Sequence, residues 1–398
     1  MKSGVWHQFG HNSQKLALEQ IELGNGVGVV FSPRDLPLHN AIKYANLFHG
    51  CGSDILIDLQ FFNPQFQNKN LATYPINKFR TSVSEFLKIQ ESQLTEFKNS
   101  LRLISHDIGV SAILSPSLIY ESGRNDIIDL NFKLFSLSKK VGDDLGIPTI
   151  ATAFIGRSAT ISNKSINSLL SDVTSLNSDG WYFGFEFNQD RIPSNYEDIL
   201  RFEECLLTLA CTGKPILHAF SGPLSIVSIA FGASGIAIGH FQNLWQLSRD
   251  RWESTKRGGG SGDAPPRYFS RNLWGTIIYP DEFGQLPHYL LEKIITSTPF
   301  SININSSTIT PWDRWNANKH FINIIGNTIK YQVELNSHQN KVDFAITVLD
   351  NAIQLGNEIN SLGMSLKDNT FCYQENWKKA INVGVSNFVN DFEYLSLL

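Results

Sequence analysis

The chain has 398 residues, 42% of them hydrophobic and 18% charged, enough apolar material for one large core or two medium ones and too much for a chain dominated by disorder. Its 33 basic residues face 37 acidic ones, a formal net charge of -4, so no global positive field draws it to phosphate backbones and any nucleic-acid contact must be a local patch.

Residues 1–25 read as an N-terminal segment without a strand. His7 and His11 in WHQFGH have the spacing of a two-histidine metal site on a helix, but Gly10 and the lack of an apolar helical run argue against one. From there to about residue 240 short apolar runs alternate with longer amphipathic stretches, the pattern of repeated βα units. The strands are expected at 27–31, 54–58, 111–114, 149–154, 181–187, 215–219 and 235–238, and their continuous apolarity suits parallel strands buried on both faces. Helical patterns fill 38–48, 84–104, 127–145, 196–210 and 224–231, the last two stopped by Gly213 and Gly232.

Seven such units with no GxGxxG fingerprint after the first strand favour an α/β fold of the (β/α)8, or TIM barrel, type over a dinucleotide-binding sheet. The eighth strand is expected at 275–279 or 301–305, after an insertion at 249–271 that carries KRGGGSGDAPPR. That stretch reads as a mobile loop, or as an anion-binding loop through Lys256, Arg257 and free glycine amides. The barrel then occupies 26–320, and a C-terminal helical appendage follows at 321–398, with its best runs at 342–355 and 377–392. Cys51, Cys205, Cys211 and Cys372 form no CxxC pair, which indicates neither a zinc ribbon nor a disulfide framework. With no basic-then-apolar leader and no apolar run near the roughly 18 residues that span a bilayer, a cytoplasmic protein without membrane contact is expected.

In a barrel of this kind chemistry sits at the C-terminal strand ends. Taken in order these ends hold Ser32, Arg34 and Asp35, then Asp58 and Gln60, then Ser115, Glu186 and Asn188, His218 and Ser221, and last His240, Gln242 and Asn243. Carboxylates, imidazoles and an arginine at one mouth make an acid/base constellation. Each also has a plainer role. Asp58 can cap a turn, His218 and His240 can be core histidines, and Arg34 with Asp35 can be a local ion pair and helix cap. Glu186, between phenylalanines, is costly there unless it meets a polar cavity or a partner. Trp245, Trp252 and Trp274 bracket the insertion and can either pack it or stack on a flat heterocycle.

Two segments resemble a known family. DILIDLQFF, residues 54–62, resembles the DSGGFQ motif of queuine/archaeosine tRNA-guanine transglycosylases, with Asp58 in the place of that motif's aspartate. KPILHAFSGPLSIVSIAFGASGIAIGHF, residues 214–241, is similar in order and spacing to the family's KPRYLMGVG and RGIDMFDC stretch. The resemblance covers residues 25–245. It departs at the nucleophilic aspartate of DMFDC, near which this chain has His240, at the zinc cysteines, of which Cys372 has no companions, and at the base-reading LDEC and VQGG, replaced by SAILSPSL and TIATAFIG.

The chain is thus similar to the remodelled, zinc-less transglycosylase-like proteins that accompany deazaguanine-synthesis-like enzymes in DNA-modification clusters and in CBASS antiviral operons. The resemblance implies a pocket for a 7-deazaguanine-type base, no cofactor, and a protein partner, a nucleotidyltransferase, before any nucleic acid. Asp58, Glu186 and His240 would be the catalytic residues, and Gln60, Phe61, Asn188, His218, Ser221 and Gln242 would line the base. The rival readings are an inactive barrel scaffold for a partner, a DNA or tRNA base transglycosylase, and an unrelated hydrolase or lyase with Asp58 and Glu186 as paired carboxylates.

Overall fold

The structure, a computed structural model, describes residues 1–160, 162–187, 192–253, 265–302, 312–364, 366 and 372–397. Its centre is a parallel barrel of β1 (Gly4–Gln8), β2 (Gly28–Phe31), β3 (Asp54–Ile57), β4 (Ile113–Leu114), β5 (Thr149–Ile155), β6 (Trp181–Phe185), β7 (Ile216–Ser221) and β8 (Gly235–Gly239). Hydrogen-bonded order runs β3-β2-β1-β8-β7-β6-β5-β4. The circle closes between β3 and β4 through Ser111, whose amide donates to the Ile55 carbonyl at 2.8 Å and whose Oγ accepts from the Ile55 amide at 3.0 Å.

The helices are α1 (Gln14–Glu22), α2 (Leu38–Gly50), α3 (Val83–Leu87), α4 (Glu91–Ile108), α5 (Asn125–Leu145), α6 (Asn163–Thr174), α7 (Tyr196–Ala210), α8 (Ser225–Ala230), α9 (Asp250–Glu253), α10 (His288–Ile294), α11 (Arg314–Val333), α12 (His338–Ser361), α13 (Cys372–Asn387) and α14 (Val389–Leu395). Gly232, one of the two expected helix stops, carries φ 97° two residues beyond α8, a conformation that glycine alone adopts cheaply.

Two expectations about the barrel are corrected. Its first strand is Gly4–Gln8, inside the segment assigned to no strand, and pairs Trp6 with Gly28 on one side and with Ala237 on the other. The place foreseen for an eighth strand at 275–279 holds β10 (Gly275–Ile278), antiparallel to β9 (Arg267–Ser270) in a separate hairpin. Most of the other place, 301–305, lies outside the described residues, as does the glycine-rich loop with Lys256 and Arg257. The hairpin and α10 build a small core of their own around Tyr268, Leu273, Ile277, Phe283, Leu290 and Ile294. The eighth barrel helix is α11, which packs on β1 between α1 and α8. A boundary at 320 therefore falls inside that helix, and the appendage is α12–α14, laid against α7 and α8.

Strand alternation decides what faces the barrel axis. Trp6, Val30, Leu56, Leu114, Ile150, Phe154, Tyr182, Leu217 and Ala237 form one apolar cluster inside. Their neighbours Val5, Phe183 and Ile236 join the core between strands and helices. Carrying the alternation to the strand ends turns Gln8, Asp58 and Glu186 inward and His7 and His240 outward.

Candidate functional site at the strand ends

Asp58 follows β3 directly and is 5% exposed. Its Oδ1 accepts the Gln60 amide at 2.9 Å, and the Tyr182 hydroxyl lies 3.4 Å from Oδ2. That hydroxyl in turn accepts from the Gln8 Nε2 at 3.1 Å, while the Gln8 Oε1 accepts the Phe220 amide at 2.8 Å. Side chains of β1, β3 and β6 and the backbone of β7 thus join into one buried polar chain across the barrel mouth. Burial pushes the Asp58 carboxyl up to about 7, against the downward pull of the Gln60 amide, the Tyr182 hydroxyl and the Arg80 and Arg251 charges. Gln60 holds φ 55°, and its Oε1 accepts from the Ser32 hydroxyl at 3.1 Å.

The segment after β8 crosses the mouth. Glu186 is 2% exposed and both of its oxygens accept from Arg249: Nη2 at 2.6 Å and Nε at 3.0 Å to Oε2, Nε at 3.2 Å to Oε1. Arg249 also pairs with Glu121. Burial alone would lower its pKa, but the two carboxylates more than offset this and hold it above the ordinary arginine value. Two residues on, Arg251 Nη2 reaches Asp35 Oδ2 at 2.8 Å. The ion pair of Asp35 is therefore made across the mouth, and α2 starts from Pro37 with no side-chain cap, which corrects the expected Arg34–Asp35 pair and cap.

Trp252 completes the crossing. Its ring meets Phe62 at 4.7 Å and Phe220 at 5.8 Å, and Phe62 meets Phe154 at 4.8 Å. These four aromatic side chains form a stopper at the mouth. Gly184 makes room for it, because a Cβ there would come within 2.7 Å of the Phe154 ring. Beside the stopper a cleft of 310 Å³ is lined by Phe62, Glu121, Arg124, Ser158 and Arg249.

The other expected site residues lie elsewhere. His218 faces the helices: its Nδ1 pairs with the Ser228 hydroxyl at 2.8 Å and its ring sits 5.0 Å from Phe202. Burial drops its pKa to about 3, so it is a neutral core histidine. His240 also points outward and stacks on His7 at 5.6 Å, with neither of its own ring nitrogens hydrogen-bonded among the described residues; burial holds its pKa well below the usual histidine value. His7 lies in β1 rather than on a helix, which removes the two-histidine metal arrangement with His11. Ser221 donates to the Ala237 carbonyl inside the wall. Phe61 packs edge-on against Phe97 below Arg80, away from the mouth. Gln242 opens the short turn Gln242–Leu244 after β8 and is half-buried. Asn188 lies outside the described residues. Of the bracketing tryptophans, Trp245 and Trp274 belong to the strand–helix core and only Trp252 reaches the mouth.

Comparison with known proteins finds only slight likeness. No protein-family model matches the sequence, and no curated protein matches it. Among solved structures the chain is similar to a 2,3-dimethylmalate lyase of the PEP mutase/isocitrate lyase superfamily, at 12% identity over 60% of this chain and 76% of that one, with a TM-score of 0.34. It is similar to the 3-dehydroquinate dehydratase from Aquifex aeolicus VF5, at 14% over 59% and 87%, with a TM-score of 0.34. It is also similar to the dihydrodipicolinate synthase from Oceanobacillus iheyensis, at 11% over 96% and 97%, with a TM-score of 0.33. Likenesses this slight say nothing of substrate or chemistry, and the barrel stands on its own strand pairing.

Sequence reasoning passed over Gln8, Tyr182, Arg80, Arg249 and Arg251, the residues that hold Asp58, Glu186 and Asp35. Arg80 donates to the carbonyls of Leu59, Gln60, Asn63 and Phe66 and so fixes the turn that carries Asp58. Chemically, the mouth offers one carboxyl that burial pushes up to about 7, a hydroxyl–amide relay behind it, and a cluster of aromatic rings set edge-on or tilted to one another. Among the described residues no group of three or more histidine, cysteine or acidic side chains is placed to hold a metal ion, and no helix is long and apolar enough to cross a membrane.

Proposed function

We propose that the chain is a transglycosylase-like barrel that takes a flat, 7-deazaguanine-type nucleobase at the end of β3 and works beside a nucleotidyltransferase partner in nucleobase modification for antiviral defence. The reading rests on Asp58. By the resemblance it stands in the place of the transglycosylase motif's aspartate, burial pushes its carboxyl up to about 7, and the Phe62, Phe154 and Trp252 rings cluster at the same barrel mouth. A carboxyl poised near neutrality can donate to an exocyclic oxygen or accept from a ring N–H, the two contacts a guanine-like edge asks for. Phe62 and Trp252 give such a base a face to stack on once they move apart.

No covalent glycosyl intermediate belongs to this reading. That step needs a carboxylate to attack the sugar carbon, whereas His240, near the nucleophile's position, faces the helix layer and Glu186 is neutralised by Arg249. The same pairing of Glu186 argues against a hydrolase with two free carboxylates. Calorimetric titration with 7-deazaguanine tests the proposal. Wild type should bind, and Asp58→Ala should weaken binding by about ten-fold or more, the worth of a lost charged hydrogen bond. Failure of the wild type to bind would sink it.

A second reading, an inactive scaffold, is favoured by the aromatic stopper, which fills the mouth where a substrate would sit. For a scaffold, co-purification with the partner should persist in an Asp58→Ala, Glu186→Gln double variant and be lost when the outer face of α12–α14 is altered.

A further inference from the structure

Two arginines at the mouth, beside Asp58 rather than on it, share the single carboxylate of Asp35. Arg34, in the turn after β2, and Arg251, in α9, hold their guanidinium carbons 5.7 and 5.5 Å from the Trp252 ring, and Arg34 lies 5.5 Å from the Phe66 ring as well. Each guanidinium keeps a buried Nη1 that donates to nothing, and the Trp252 Nε1 is in the same state. Three buried donors without an acceptor around one indole is an arrangement that folding disfavours unless something accepts from them.

Among the described residues the nearby carboxylates already accept hydrogen bonds. Asp35 takes Arg251 through Nη2 and the Ser32 hydroxyl. Asp58 takes the Gln60 amide and faces the Tyr182 hydroxyl. Arg80, the third arginine of this region, is satisfied by four backbone carbonyls and asks for no counter-ion. Burial, and after it the Arg251 charge, lower the Arg34 pKa to about 10 although Asp35 pulls it back up, as happens when two buried cations share one carboxylate.

We propose that Arg34, Arg251 and Trp252 form an anion site at the barrel mouth, made for the phosphate group of a nucleotide whose base lies toward Asp58. A carboxylate offers two oxygens in one plane, whereas a phosphate offers three or four in a tetrahedron and suits donors that come from separate elements. The identity of the base half rests on the nucleobase reading above. The anion half does not.

Calorimetry on the full chain with inorganic phosphate, guanosine 5′-monophosphate, guanosine and 7-deazaguanine tests this, on wild type, Arg34→Gln and Trp252→Phe. Arg34→Gln is the main variant because, among the described residues, the Arg34 side chain rests on the Phe66 and Trp252 rings and has no direct ion pair. Trp252→Phe removes the indole N–H and keeps an aromatic ring. The nucleotide should bind wild type about ten-fold or more tighter than guanosine does. Arg34→Gln should weaken the nucleotide and phosphate by about ten-fold or more, and Trp252→Phe by less, while 7-deazaguanine affinity stays the same in Arg34→Gln. Phosphate binding that depends on Arg34 but gains nothing from the nucleoside supports the site with free phosphate as its ligand. If 7-deazaguanine fails to bind while Arg34-dependent phosphate binding holds, the nucleobase reading falls and the anion site stands. No phosphate or nucleotide binding to wild type, or undiminished binding to Arg34→Gln, overturns the proposal.

Discussion

Asp58→Asn is the sharpest perturbation, because it separates the charge of the residue from its shape. Asparagine keeps an oxygen for the Gln60 amide and, like a protonated acid, puts a donor at the position that otherwise accepts from the Tyr182 hydroxyl, which then turns to accept. It therefore imitates the neutral acid and cannot ionise. In the unfolded chain Asp58 loses its proton near 3.8, and in the folded chain it keeps it to about 7. Between those values the unfolded state binds fewer protons than the folded one, so the wild type loses stability as pH rises through the window. At about 1.4 kcal/mol per pH unit, the full gap is worth about 4 kcal/mol. D58N should match the wild type near pH 4, gain on it steadily to pH 7, and stay about 4 kcal/mol ahead above that. Urea unfolding and thermal melts from pH 4 to 9 provide the measurement, with the pH slope of the difference as readout, since a barrel this large need not unfold in one step. A constant offset across the range, or a difference that shrinks with pH, would refute the claim that Asp58 is held as a buried, mostly protonated acid.

Other substitutions probe the rest of the mouth and the core. Arg249→Met leaves the buried Glu186 carboxylate unpaired and should cost about 3 kcal/mol, moderated because Arg249 is one-third exposed, whereas in Glu186→Gln the loss should be smaller. A double-mutant cycle in urea should give a coupling of about 1 kcal/mol or more, and simple additivity would show that the clip does not hold the segment down. Trp252→Ala should cost about 3 kcal/mol through the cavity it opens among Phe62 and Phe220, and a loss below about 1 kcal/mol would show that the stopper is loosely packed. Glu203 is fully buried between α7 and Gly384, both oxygens lack a partner, and burial pushes its pKa well above the usual carboxylate range. Glu203→Met should therefore raise the melting temperature at pH 8 and change it little at pH 4, and a lower value at pH 8 would contradict that account. His218→Gln should lower stability by about 1 kcal/mol through the lost Ser228 contact and leave ligand affinity unchanged, which a paired melt and titration would check.

Most of the barrel was legible because seven of its strands are continuous apolar runs, the pattern that burial on both faces demands. The first strand was not, since GVWHQ ends in two polar residues. Its polarity has a use that only the closed circle reveals: Gln8 enters the Asp58 relay, and His7 finds a stacking partner in His240, just past the last barrel strand. The strand ends were read as one set, but a strand end has two faces. Asp58 and Glu186 continue the inward register of Leu56 and Tyr182, whereas His218 and His240 continue the outward register of Ile236. Counting by twos from Tyr182 would have placed Glu186 inside. Counting back from His240 to Ile236 would have placed that histidine outside. The partners of the carboxylates could not be found by counting, because Arg80, Arg249 and Arg251 come from loops whose path is set by tertiary packing.

Those arginines alter what the net charge means. A chain that totals -4 has no long-range pull on polyanions, yet it gathers Arg34, Arg80, Arg249 and Arg251 at one end of its barrel, close to Asp35, Asp58, Glu121 and Glu186. Two of the carboxylates neutralise Arg249 and a third takes Arg251, while Asp58 is protonated over much of the range below neutrality. Among the described residues these charges leave the mouth locally positive below pH 7, and above it the ionising Asp58 supplies the missing charge. Anion affinity at this mouth should fall as pH rises through about 7, the reverse of what titration of phosphate itself would produce, since phosphate gains charge over the same range. That opposition gives the Asp58 carboxyl and the Arg34–Arg251 pair a shared signature: in D58N the fall should disappear and binding should strengthen with pH.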